Sequence, residues 1–286
     1  MDEINNFIKN KIKIHEIYKG INNKNLRLAK WYFENAISDA QYNLTKIRPY
    51  LKKNKKILEV GGGLNILSAY LHKSNYNIKS IEPGGFNPTW DKLKENLRKK
   101  LNLKNIIINE QIEKYSNNNL KYDFVFSINT LEHCNDIKEF INACKKVLNK
   151  NGLLNLRCPN YNFPFEGHFY IFTLPNLHKF TIEKIFKKKL IKKYGKKRYN
   201  NILQNLNFDC KYSFIKKNFP DAQFKEVLKE IFDRFKNDKK FNLRIKQNII
   251  IKIFYNFIKK LNFINFLIKF FPLKYSPYLN IFFKNK

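Results

Sequence analysis

The sequence predicts an α/β fold of the doubly wound kind, a parallel sheet with helices on both faces, followed by a helical C-terminal extension. Three observations carry that expectation. Short apolar runs alternate with helix-length segments between about residue 56 and residue 158, the pattern of consecutive βαβ units. The first run, Lys56-Ile57-Leu58-Glu59-Val60, leads straight into Gly61, Gly62 and Gly63. Glycines there let a ligand approach the backbone closely, and the helix that follows offers unpaired N–H groups. The second run ends in Glu82, and an acid about 20 residues past such a turn is placed to grip a ribose diol. Together these mark a nucleoside-cofactor site.

Each element has its own local reason. Residues 25 to 50 read as a helix, with Leu28, Trp31, Tyr32, Ala36, Ile37, Ala40 and Tyr42 at mixed three-and-four spacing. Strands are expected at Ile57–Val60, Ile78–Glu82, Asn105–Asn109, Asp123–Ser127 and Leu153–Arg157. Helices are expected at 64–74 and 89–101, the second after a Pro83-Gly84-Gly85 turn. Asn135 or Asp136 is placed to cap a third helix whose apolar face is Ile137, Phe140, Ile141, Cys144 and Leu148, with Asn151-Gly152 ending it. In such sheets ligands sit at the carboxyl ends of the strands. Those ends are Gly61 to Gly63, Glu82, Gln111 with Ile112, Asn129, and Cys158 to Tyr161.

The dinucleotide fingerprint G-x-G-x-x-G fails here, because counting from Gly61 its last position is Ile66. The pattern Glu59-x-Gly61-x-Gly63 instead resembles the first motif of class I S-adenosylmethionine-dependent methyltransferases, with Asn65 where that family usually has a third small residue. Asn tolerates unusual backbone angles better than most residues. A second segment, Tyr122-Asp123-Phe124-Val125-Phe126-Ser127 followed by Asn129-Thr130-Leu131-Glu132-His133, resembles the fourth motif of the small-molecule branch of the same family. The resemblance covers roughly residues 50 to 180.

The resemblance implies a Rossmann-like methyltransferase sheet with S-adenosyl-L-methionine as cofactor. It implies that Glu59, Gly61, Gly62 and Gly63 hold the methionine part and that Glu82 takes the ribose hydroxyls. Gln111 and Ile112 would frame the adenine, and Asn129 would close the pocket over the methionine amine. The loop after the fifth strand runs Cys158-Pro159-Asn160-Tyr161-Asn162-Phe163-Pro164-Phe165-Glu166-Gly167-His168. It resembles the substrate loop of bacterial methyltransferases, many of them linked to cell-surface saccharide or lipid modification. Asn160, Tyr161 and Glu166 are therefore expected to contact substrate. A hydroxyl acceptor is helped by a general base, a role suited to histidine. His168 and His133 are the two candidates, with loop packing and a structural hydrogen bond as the respective alternatives. The sulfonium is already a good electrophile, so the expected chemistry calls for no metal.

The nucleic-acid branches of the family fit poorly. Asn129-Thr130 stands where cytosine-5 enzymes need Pro-Cys and where adenine-N6 enzymes need Asn-Pro-Pro. The formal net charge is +33 over 286 residues. A chain rich in Lys, Asn, Ile, Phe and Tyr has the look of an AT-rich coding bias, so much of that charge is solvated surface. Two regions stand out even so: nine basic residues and no acid from Lys184 to Arg198, and no acid after Asp238.

Four cysteines without C-x-x-C spacing imply neither a zinc site nor a disulfide framework and suit a reducing cytoplasm. The first residues lack a signal peptide's apolar core. The chain is expected to divide into an N-terminal helical segment (1–50), the cofactor-binding core (51–180) and a basic helical C-terminal region (181–286), part substrate cap. Pro220 and Asp221 are expected to start a helix running to Phe235. Residues 250 to 271 read as a basic amphipathic helix suited to an anionic membrane surface, with packing on the core or on a dimer partner as the alternative. It is too interrupted by lysine to cross a bilayer.

The expected function is methyl transfer to a small-molecule, saccharide or lipid-linked acceptor. The alternative is a nucleic-acid-binding or catalytically inactive protein that keeps the fold. The expected location is cytoplasmic, with peripheral membrane contact through the tail.

Overall fold

A computed structural model describes residues 3–85, 87–238, 241 and 269–285. In chain order, the N-terminal part holds α1 (Glu3–Lys11), α2 (Ile14–Ile17), α3 (Asn23–Ile47), β1 (Lys56–Val60), α4 (Ile66–Lys73), β2 (Asn77–Ile81) and α5 (Pro88–Lys100). There follow β3 (Ile107–Ile108), α6 (Ile112–Tyr115), β4 (Tyr122–Ile128), α7 (Ile137–Lys146) and β5 (Leu148–Pro159). Next come β6 (Phe165–Glu166), β7 (Ile171–Phe172), α8 (His178–Phe180), α9 (Lys187–Tyr194), α10 (Lys196–Gln204) and α11 (Tyr212–Asn218). The last elements described are β8 (Gln223–Phe224), α12 (Leu228–Asn237) and β9 (Tyr278–Lys284).

The strand order is β3-β2-β1-β4-β5-β9-β8, and β6 with β7 forms a separate hairpin. β1 pairs in parallel with β2 and β4, β2 pairs in parallel with β3, and β8 pairs antiparallel with β9. This is the Rossmann-like α/β fold that the sequence predicts. The switch of direction lies between β1, which starts the order toward β3, and β4, which starts it the other way; ligands bind at such a point.

The chain divides into two compact units. The first comprises residues 1–128, 142–154 and 284–286; the second comprises 129–141 and 155–283. In the first unit β1 is buried from Ile57 to Val60, as a strand covered on both faces must be. Its core joins Ile57, Leu67, Leu71, Ile78, Leu93, Leu97, Phe124 and Phe126 to Phe33, Ile37, Leu44 and Ile47 of α3. In the second unit Phe169, Ile182, Leu190 and Tyr199 form a smaller core beneath α9 and α10.

Several local expectations need correction. The buried stripe of α3 is Ala29, Phe33, Ile37, Ala40, Leu44 and Ile47, so the helix is turned from the face first read, and Trp31 is exposed. Asn151-Gly152 does not end α7, which stops at Lys146. It lies inside β5, where Asn151 has φ +62° and a Cβ on Gly152 would lie 2.8 Å from the Asn149 carbonyl oxygen. The helix expected from Pro220 starts only at Leu228, because Gln223 and Phe224 pair with β9 instead. The amphipathic helix expected over 250–271 lies outside the described residues from 250 to 268. Among the described residues no helix is long and apolar enough to cross a membrane. All four cysteines are free thiols.

Candidate functional site

The glycine turn of the first unit is built by β1, β2 and α4. Gly61 and Gly62 donate their N–H groups to the Ile81 carbonyl at 2.8 and 3.2 Å, which hooks the turn over the end of β2. Gly61 and Gly63 have φ of +78° and +56°, conformations glycine adopts without strain. Gly62 is required for a different reason. A Cβ there would lie 2.2 Å from Asn65 Nδ2 and 2.3 Å from Ser80 Oγ. Asn65 itself has φ +58°, which accounts for an Asn at this position, and its side chain is buried. Its Nδ2 donates to Ser80 Oγ at 2.9 Å, and its Oδ1 accepts from Arg98 Nε at 3.1 Å.

Two acids flank the turn. Glu59 is buried under it, and its Oε2 accepts from the hydroxyls of Ser68 and Ser80. Burial pushes its carboxyl up to about 7, against the opposing pull of those two hydroxyls. Glu82 stands at the end of β2. Its Oε2 accepts the Gly63 N–H at 2.9 Å, and its Oε1 accepts from the Gly84 N–H at 3.3 Å and from Lys94 Nζ at 3.5 Å. Lys94, almost fully buried, also lies 3.5 Å from Asp91. A carboxylate has about four lone-pair sites, so Glu82 keeps acceptor capacity for a diol.

Asn87 caps α5 by accepting the Trp90 N–H at 2.9 Å, with Pro88 in the first turn. The cap fixes Trp90, whose ring edge would be 3.4 Å from a Cβ on Gly63. Tyr32 meets Trp90 edge-on at 5.2 Å, so α3 contributes to the wall. Gln111 is exposed at the start of α6, and Ile112 is buried. The residues fit S-adenosylmethionine: side-chain-free backbone at the turn, an aromatic wall of Trp90 and Tyr32, and a Glu82 carboxylate with acceptor capacity left for a diol.

The second unit carries the remaining candidates. Asn129 has φ +54° and is exposed; its Oδ1 accepts from the Tyr278 hydroxyl. His133 and His168 stand together, ring centroids 5.1 Å apart and edge to face. His133 Nδ1 is 2.8 Å from the Asn205 carbonyl. A carbonyl only accepts, so Nδ1 carries the hydrogen and Nε2 the lone pair. Burial, then the charge of His168, pulls the His133 imidazole down to about 4. His168 Nδ1 lies 2.7 Å from Glu166 Oε1. Burial works against its charged form, but the adjacent Glu166 carboxylate outweighs that and holds the imidazole above its usual value. Glu132 is buried, its Oε2 has no hydrogen-bond partner, and burial pushes its carboxyl up to about 7.

The expected substrate residues fare differently from one another. Asn160 is spent inside the protein. Its Nδ2 donates to the carbonyls of Lys274 (2.9 Å) and Ser276 (2.6 Å), and its Oδ1 accepts the N–H groups of Asn162 and Tyr212. Glu166 is fully buried, with Oε1 taken by His168 and Oε2 by the Phe169 N–H. Both therefore brace the loop in place of the direct substrate contact expected of them. Tyr161 lines a cavity of about 280 Å³ with His178, Phe180, Phe208 and Lys211, and its buried hydroxyl has no hydrogen-bond partner.

Sequence reasoning missed Lys94, Trp90 and Glu132 as site residues. Glu132 was discoverable, since Glu132-His133 and Glu166-x-His168 are two carboxylate–imidazole pairs. For Lys94 only its spacing from Asp91 on one helix face gave a hint.

The sheet order and the glycine turn define a class, and the sequence comparison names it. Residues 32–212 match the methyltransferase-domain family. The chain belongs to that family, among the class I S-adenosylmethionine-dependent methyltransferases. It is 32% identical over 120 residues to an uncharacterized protein of Mycobacterium tuberculosis, covering 40% of this chain and 39% of that one. It is 29% identical over 168 residues to the ubiquinone biosynthesis O-methyltransferase of Pelagibacter ubique, covering 54% of this chain and 63% of the relative. The chain thus spans less than two thirds of either relative's length. A solved structure of a S-adenosylmethionine-dependent methyltransferase from Thermotoga maritima is similar at 14% identity and a TM-score of 0.41, over 73% of this chain and 84% of that one.

Proposed function

We propose that the chain transfers the methyl group of S-adenosylmethionine to a hydroxyl of a small-molecule, saccharide or lipid-linked acceptor. The observation that carries the cofactor half is the turn at Gly61–Gly63, with its N–H of Gly63 tied to Glu82. S-adenosylmethionine, when bound, supplies an electrophilic methyl. The chain's own part is to hold and orient, which is where proximity contributes most. Gly61, Gly62 and Gly63 admit the ligand to the backbone, Glu82 receives the ribose hydroxyls, and Glu59 supports the turn from beneath. Gln111 and Ile112 frame the adenine.

Two observations support the choice of acceptor. One relative in the family is named an O-methyltransferase. In the second unit, the Tyr161 cavity has Lys179 and Lys211 in its lining, and Leu177 and Phe180 of the same lining are exposed. Apolar residues beside ammonium groups suit an acceptor with an apolar body and an anionic group. A hydroxyl acceptor must lose a proton. His133, pulled down to about 4, is the imidazole that is neutral at physiological pH; His168, hydrogen-bonded to Glu166, is its neighbour. Of the two candidate histidines, His133 is the proposed base.

Calorimetry with S-adenosylmethionine and its demethylated product tests the cofactor half: micromolar-range binding is expected, lost in Gly61→Val. An absence of heat and of thermal shift with the folded wild-type chain would overturn it. Transfer of labelled methyl to hydroxylated aromatic, saccharide and polyprenyl-phosphate acceptors tests the other half.

A further inference from the structure

We propose that Glu132, His133 and His168 form a binding site for a divalent first-row transition ion of the zinc type. One ligand atom from each residue can be chosen so that all three lie within 4.8 Å of one another. Tetrahedral zinc with bonds of about 2.1 Å sets its ligand atoms roughly 3.4 Å apart, so the three groups draw together when an ion binds. Two imidazoles and one carboxylate are a recurrent ligand set for ions that keep a further position open.

Three features show a site built for a cation and not a chance cluster. First, each imidazole is oriented by its other nitrogen. His133 donates Nδ1–H to the Asn205 carbonyl at 2.8 Å, and His168 donates Nδ1–H to Glu166 at 2.7 Å. Both bonds turn Nε2 into the available lone pair, the arrangement that outer-sphere partners impose on metal-ligating histidines. Second, the Glu132 side chain is 2% exposed, and its Oε2 has no hydrogen-bond partner. A buried carboxylate oxygen left unpaired is costly, and a bound cation would satisfy it. Third, the outer partner is itself held: Glu166 is fully buried and accepts the N–H groups of His168 and Phe169. The Glu166–His168 pair therefore has a defined geometry before any ion arrives.

The inference does not depend on methyl transfer and is read without cofactor. An ion at this site would lower the pKa of an oxygen bound in its open position, taking over the role that a free imidazole would otherwise fill.

The test uses the full chain, stripped with chelator and titrated with Zn²⁺ by calorimetry and with Co²⁺ by visible absorption. One ion per chain is expected, with a cobalt spectrum free of thiolate charge-transfer bands. Glu132→Gln, His133→Gln and His168→Gln should each weaken binding at least tenfold. Glu166→Gln, which acts through His168, should weaken it about 10–100-fold. His15→Gln, on the exposed surface of α2, should leave it unchanged. Far-UV circular dichroism of each variant checks its fold. A measurement on the wild type alone covers the case in which a variant unfolds: with ¹⁵N-histidine label, Zn²⁺ should shift Nε2 of two of the five histidines. The proposal is overturned if the wild type binds no ion. It is equally overturned if His133→Gln/His168→Gln binds as tightly as wild type, or if cobalt reports cysteine ligands.

Discussion

One methyl group decides whether the glycine turn closes at Gly62. The space that a Cβ would need is already held by Asn65 and Ser80, both buried and bonded to each other. Gly62→Ala should therefore cost about 1–3 kcal/mol, the range for overpacking a filled site, and should weaken cofactor binding with it. Thermal melting and calorimetry on the same sample check both effects. Glu59 beneath the turn makes a second prediction. Its folded value of about 7 lies above the ordinary 4.5, so the folded state holds a proton that the unfolded state releases. Stability is greatest below that window and falls as pH rises from about 4.5 toward 7. Glu59→Gln carries no such proton and should flatten the fall, by an order-of-magnitude ceiling of about 3 kcal/mol. Urea unfolding at several pH values would show it; an unchanged slope would mean that Glu59 titrates normally. Glu82→Gln should weaken S-adenosylmethionine binding by roughly 1.5–3 kcal/mol, the range for hydrogen bonds to a charged group. Of these residues the glycines and Glu82 were legible in the sequence because backbone geometry dictates them locally. The bonding of Glu82 to Lys94 and of Glu59 to Ser80 was not, since each pair joins different elements across a sheet or onto a helix.

Among the elements, α7 shows how a cap writes its own boundary. Asp136 Oδ1 accepts the N–H groups of Lys138 at 2.7 Å and Glu139 at 3.0 Å. Asp136→Ala should cost about 1 kcal/mol, seen as a lowered melting temperature; a change within error would show that water replaces the carboxylate. The other well-read elements share this property of carrying their own signals: Asn87 and Pro88 start α5, and continuous burial marks Ile57 to Val60 of β1 and Phe124 to Ser127 of β4. The misread elements are those where a distant partner decides. Gln223 and Phe224 sit in a stretch with helical periodicity, but pairing with Phe282 and Ile281 of β9 makes them a strand. Such a pairing overrides local propensity. Asn160 likewise reads as a loop residue open to ligand, and the carbonyls of Lys274 and Ser276, more than 110 residues away, claim it.

At the scale of the molecule, the second unit depends on joining segments far apart in sequence. Asn155 in β5 donates Nδ2–H to Asn280 Oδ1 in β9 at 2.7 Å and to the Ile281 carbonyl at 3.2 Å, across 125 residues and with both side chains buried. Asn280→Leu alone leaves one buried amide short of a partner and should cost about 1–3 kcal/mol, whereas Asn155→Leu/Asn280→Leu should recover much of that loss. Denaturant midpoints of the three variants make the cycle, and a purely additive result would show that the two amides do not act as a pair.

That amide pair has a consequence for how the protein is made. A ribosome adding about 5–20 residues per second would deliver Asn280 on the order of 10 s after Asn155. During that interval β5, with Leu154, Leu156 and Cys158 destined for full burial, stands without the neighbour that β9 becomes. A bare apolar strand edge is a template for pairing with other chains. Nascent chains stalled before residue 278 should accordingly cross-link to holding chaperones, and chains released after β9 should not.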